Sequence, residues 1–240
     1  MTDPALEPAG PAEPVTGPVT PPRPAPGWLE LVVAALAYVV LQIGLFVPIG
    51  LLSEGMPPAP LLVAVSGASA LGAVAIALSL RVRSAAAVGL VRPTARHLAT
   101  GLGIGLVVWL LSRVLIVVYV AVTGDTSDPQ AALTLFSGPV AAALVVAIGG
   151  LVVPLGEELL FRGLAYPVLR RLGRVVAVVL SAAVFALAHG LNVVFAAAFL
   201  LGVVNAVLYE RTGSIWPAVA SHATFNVISF VLVLAVGDQL

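Results

Sequence analysis

The residues of this chain that could do chemistry fall in three short groups. The first is Gly156-Glu157-Glu158-Leu159-Leu160-Phe161-Arg162-Gly163, where two adjacent carboxylates and an arginine occur in a chain with only 9% charged residues. The second is Phe185-x-x-x-His189, and the third is His222-x-x-x-Asn226. This inventory suits activation of water: a Glu or His takes the proton, while His and Asn donors stabilise an oxyanion. Glu157, His189 and His222 could instead ligate zinc, because His₂Glu with an open position is a catalytic metal set. The H-E-x-x-H pattern is absent, and residue types alone leave metal or no metal open. The chain has no cysteine, which excludes a thiol nucleophile, thiolate zinc sites and disulfides. Ser181 stands two turns before His189, and Ser221 sits beside His222 but faces another direction. Neither forms a Ser-His-Asp arrangement.

The elements that must position these groups are transmembrane. Of 240 residues, 60% are hydrophobic, and the mean hydropathy is +1.13. Soluble domains run at about 45–50% apolar and about 25% charged, so the chain reads as a polytopic all-α membrane bundle. Residues 1–26 are rich in Pro, Ala, Glu and Thr without a hydrophobic period. They read as a disordered tail, not as a secretory signal. Seven spans are expected, at 28–52, 60–80, 98–122, 139–156, 174–190, 192–210 and 214–236. The fourth runs on to about residue 171, with a kink expected at Gly149-Gly150 and Pro154. The chain then divides into the tail, the N-terminal helices and their arginine-bearing connector (27–138), and a core at 139–236.

All eleven basic residues are arginine. With the N-terminus cytoplasmic, nine of them fall on inside segments: Arg23, Arg81, Arg83, Arg92, Arg96, Arg170, Arg171, Arg174 and Arg211. The outside loops carry Glu54, Asp125 and Asp128 but no arginine, the bias expected of a multi-pass cell-membrane protein. An odd number of spans puts Asp238 outside. The connector 81–97 reads either as a membrane-surface segment or as a solvated loop. His97 is assigned no chemistry. Arg113 can snorkel or pair with an acid and is likewise unassigned.

Spacing then sorts the polar groups. Glu158 and Arg162 are four residues apart with the acid first, the better order for an ion pair. Glu157 points about 100° away and stays without a local partner. Glu157 lies sixteen residues before Gly173 and His189 sixteen after it, so an antiparallel hairpin sets both about 24 Å from the turn. His222 lies nine residues beyond Gly213, about 14 Å deep, and reaches the same level if the hairpin protrudes. Each group also has a structural reading: a packed histidine, or a Glu-Arg clamp. Asn205 and Gln42 are expected to be interhelical hydrogen-bond glue.

In this order the motifs resemble the CPBP intramembrane proteases, which comprise type II CAAX prenyl proteases and bacteriocin-processing (Abi) relatives. Phe161-Arg162-Gly163 and Tyr209-x-x-Thr212-Gly213-Ser214-x-Trp216-Pro217 add to the likeness, which covers about residues 139–230. The resemblance implies an intramembrane endopeptidase in which Glu157 and His189 activate water and His222 with Asn226 holds the oxyanion. Glu158 and Arg162 would support the site, and Phe185 would pack beside it. It leaves a glutamate-type and a zinc-dependent mechanism both open. It also implies membrane lipid around the chain and a protein or peptide substrate, for which a prenylated tail is one candidate. No nucleic-acid partner is expected. A catalytically silent membrane scaffold and a small proton-coupled transporter are the alternatives; the chain carries no evident internal repeat.

Overall fold

Long apolar runs without internal partners for their backbone groups must close their hydrogen bonds within each segment, and in lipid that means helices. The computed structural model describes residues 25–53, 55–82, 84–127 and 138–236. Expectations for the tail before residue 25, and for Arg23, Glu54, Arg83, Asp128 and Asp238, lie outside these residues. The described chain forms seven helices: α1 (Trp28–Leu52), α2 (Ala59–Leu80), α3 (Ala95–Thr123), α4 (Gly138–Leu172), α5 (Arg174–Ala188), α6 (Phe195–Thr212) and α7 (Trp216–Val236). Among the described residues there are no strands. The protein is a polytopic helical bundle.

Six of the helices are long and apolar enough to cross a membrane. The exception is α5, which has 15 residues and spans about 22 Å, against about 30 Å of hydrocarbon. The sixth expected span also starts later, at Phe195, leaving residues 189–194 as non-helical backbone. Such backbone is tolerated at membrane depth only where protein or a cavity surrounds it. Asn192 meets that condition: its Nδ2 donates to the His189 carbonyl at 2.8 Å and its Oδ1 accepts from Val194 N at 2.8 Å.

Helix α4 stays helical across Gly138–Leu172 and passes through two π-helical segments, Ile148–Val152, which contains the Gly149-Gly150 pair where a kink is expected, and Leu159–Ala165. Both flank the Glu157-Glu158 turn, and π segments often mark functional sites. Glycines allow α4 to approach its neighbours closely. A Cβ at Gly156 would stand 3.0 Å from Ala70 of α2, and one at Gly150 would stand 2.6 Å from Val227 of α7. Helices α3 and α7 are likewise brought together at Gly105 and joined by Trp109 Nε1 donating to Ser229 Oγ at 3.1 Å.

The connector between α2 and α3 is exposed at Arg81, Ala85, Ala86, Val91 and Arg92 but anchors on the bundle through its apolar residues. Val82 and Val88 are buried. A short 3₁₀ turn, Ala85–Val88, ends at Gly89 with φ 76°. The Gly89 carbonyl accepts from Ile215 N at 2.9 Å, and the Val91 carbonyl accepts from Ser214 Oγ at 2.8 Å. The same connector touches α4, since a Cβ at Gly163 would stand 2.6 Å from the Val88 oxygen.

One end of the bundle gathers the arginines. Arg81 grips the buried Glu30 at 2.6 and 2.8 Å, and Arg171 donates to the Pro26 carbonyl at 2.9 Å. Arg170 and Arg174 flank Glu210 at 3.0 and 3.7 Å. The start of α1 and the ends of α2, α4 and α6 therefore share one face.

Candidate active site

The docked connector explains how α7 reaches the site. Gly163 of α4 and Ile215 before α7 both rest on residues 88–91. From that shared level, Glu157 lies six residues up α4 and His222 seven residues from Ile215, about 9 and 10 Å. The part of α4 beyond Gly163 extends past the connector, which removes the mismatch in depth counted from the turns.

Glu158 is the hub. Its Oε1 accepts from Arg162 Nη1 at 3.1 Å, from Asn205 Nδ2 at 2.9 Å and from His222 Nδ1 at 2.9 Å. Both Glu158 and Arg162 are fully buried at 0% exposure, so each charge depends on the other. Arg162 is further held by the Gly202 carbonyl, 2.9 Å from Nη2, and by the face of Phe185, 4.7 Å from its guanidinium carbon. Phe185 also packs on both imidazoles, with ring centroids 4.7 Å from His189 and 5.6 Å from His222.

Glu157 is built differently. It is 6% exposed, yet its Oε2 has no hydrogen-bond partner among the described residues. His222 Nε2 stands 3.7 Å from it, too long for a hydrogen bond. Glu157, His189 and Asn226 line one cavity of about 460 Å³. His189 closes α5, and its Nδ1 lies 2.9 Å from the Phe185 carbonyl. A carbonyl only accepts, so Nδ1 carries the proton and Nε2 presents its lone pair. By the same logic, with Glu158 accepting from His222 Nδ1, His222 Nε2 can donate only as imidazolium. Asn226 gives one amide proton to the Gly149 carbonyl at 3.0 Å, in the first π segment, and keeps a second.

Asp125 follows α3, next in sequence to Thr126, which lines the cavity. Hydrogen bonds from Ser127, and a further one from Tyr119, hold its carboxyl below the usual carboxylate range. Among the described residues no group of three His, Asp or Glu side chains converges as a metal site; both imidazoles engage protein acceptors through Nδ1, which leaves each Nε2 facing away from those partners.

Of the two residues expected to be interhelical glue, Asn205 does bridge helices, from α6 to Glu158 of α4 at the site. Gln42 bonds within its own helix, to Tyr38 Oη at 3.1 Å. Arg113, left unassigned from sequence, lines the cavity. Asn192 and Gly202 carried no sequence signal beyond a polar residue and a glycine in apolar surroundings.

Fold and site together define a multi-pass membrane protein with a buried Glu-His-Asn constellation opening on an intramembrane cavity. Residues 139–228 match the family model described as Rce1-like, Type II CAAX prenyl endopeptidase Rce1-like. This segment is similar to that family; the match does not extend to α1, α2 and α3. No curated protein and no solved structure matches the chain.

Proposed function

We propose that this protein is an intramembrane endopeptidase that cleaves a membrane-associated protein or peptide by a glutamate-type mechanism. The observation that carries the reading is the buried Glu157 carboxylate, whose Oε2 lacks a partner in the cavity it shares with His189 and Asn226. A water bound there loses a proton to Glu157, with His189 Nε2 as the second acceptor. The resulting hydroxide adds to the scissile carbonyl carbon. The free amide proton of Asn226 meets the oxyanion, and His222, held at Nδ1 by Glu158, stands beside Glu157 with its Nε2 3.7 Å away. The proton then passes from Glu157 to the leaving nitrogen, and the C–N bond breaks. Glu158, Arg162 and Phe185 position His222 and His189 and do not touch substrate.

In this reading residues 139–236 are the protease core and 27–138 enclose it. The matched family's description names prenylated CAAX substrates, and a lipidated tail is one candidate here. With the arginine-rich face cytoplasmic, the cavity opens on the opposite side, because Thr126 and Val233, near the far ends of α3 and α7, line it. The test is reconstitution in liposomes, with protein termini from the native membrane compared with and without enzyme. Glu157→Gln and His189→Ala should each abolish new termini while the protein stays inserted and folded. Full cleavage by either variant refutes the assignment.

A further inference from the structure

The same cavity holds a cation that has no ion-pair partner among the described residues. Arg113 lines it from α3, ten residues before the helix end at Thr123, about 15 Å along the axis. An arginine at that depth is costly and normally pairs or snorkels. Its own contacts are modest: Ser112 Oγ accepts from Nη2 at 3.1 Å and from Nε at 3.3 Å, and the guanidinium sits 5.2 Å from the Trp109 ring. Arg113 forms no ion pair among the described residues. Asp125, next in sequence to the cavity-lining Thr126, is taken by Tyr119 and Ser127.

We propose that Arg113 is a specificity-determining anchor that binds a carboxylate carried by the substrate. The guanidinium fork matches a carboxylate in two parallel hydrogen bonds, and low polarity strengthens them. A lipid phosphate is the competing occupant of the fork, and its binding would leave acid and amide peptides equally bound. The rest of the lining is mainly apolar, including Val63, Ile116, Phe225 and Phe230. The volume lies in the range that holds small ligands. The complement is a short apolar peptide with one carboxylate, at its chain end or on an Asp or Glu side chain.

The placement rests on the peptidase reading only in making that ligand a peptide, and its test does not need hydrolysis. Full-length Glu157→Gln protein in lipid nanodiscs is titrated with N-acetyl-Val-Ala-Leu as free acid, with its carboxamide, and with N-acetyl-Val-Glu-Leu carboxamide. Tryptophan emission is the readout, since Trp109 stacks on Arg113. At least one acidic probe should bind about tenfold more tightly than the neutral amide, as a charged hydrogen-bonded pair allows. Which one does so identifies the chain end or the side chain as the source. Arg113→Gln should bring the ratio to within about twofold, and Arg113→Lys should retain part of it. Equal binding of acid and amide, no acid-dependent signal at millimolar probe, or a preference that survives Arg113→Gln overturns the proposal. Loss of peptidase activity in every substrate assay would refute the enzyme reading and leave this binding result standing.

Discussion

Removing either partner of the Glu158–Arg162 pair should cost far more than removing both. Both side chains are fully buried, and their charged atoms meet at 3.1 Å. Breaking a buried pair from one side strands a charge and costs about 3–5 kcal/mol, whereas apolar replacement of both is often neutral. Arg162→Met leaves Glu158 with Asn205 and His222 at 2.9 Å each, so its loss should fall at the lower end, about 3 kcal/mol. Glu158→Met strands the guanidinium with one carbonyl, that of Gly202, and the Phe185 ring. Its loss should reach about 5 kcal/mol. The double variant should recover at least about 2 kcal/mol relative to the sum of the singles, a coupling typical of residues in one network. Unfolding in mixed micelles of increasing denaturing detergent, followed by tryptophan emission, measures all four corners of the cycle. Peptidase activity should stay absent in the double variant even with stability restored, because His222 has lost its Nδ1 acceptor. Additive singles, or an active double variant, would show that the pair neither compensates itself nor positions His222.

Two further outcomes follow from the same geometry. Asn192→Ala frees the His189 carbonyl and the Val194 N–H at once; it should destabilise by about 1–3 kcal/mol and speed hydrogen exchange at 189–194, and unchanged exchange would refute the role. Because the chain has no cysteine, single cysteines report sidedness directly: Thr126→Cys should react with a membrane-impermeant maleimide on intact cells, and Ser84→Cys only after permeabilisation, the reverse pattern inverting the orientation.

Much of the local structure was legible because its causes are local. Apolar runs locate the long helices, and α1 begins and ends where hydropathy puts it, at Trp28–Leu52. The i,i+4 spacing foretells the Glu158–Arg162 contact, since helical residues four apart face one another. Equal counts about Gly173 place Glu157 and His189 at one level, and both line one cavity. The shortness of α5 was visible too, but not what it does, which is to end inside the bundle with His189 at its tip.

The sequence by itself determined the class of fold, the helices that carry the reactive groups and the division between a paired and a free glutamate. Those follow from period, length and charge, quantities held within a few turns of chain. Only the tertiary structure decided that Asn205, 47 residues away, and His222, 64 residues away, converge on the same Glu158 oxygen. It also decided that the 81–97 connector docks between α4 and α7 and sets their depth, and that Arg113 faces the cavity. The physical reason is that an apolar helix offers lipid and protein nearly the same side chains. In a membrane the neighbours are chosen by small residues that allow close approach and by buried polar groups that require partners, and neither records in the local sequence which helix will answer.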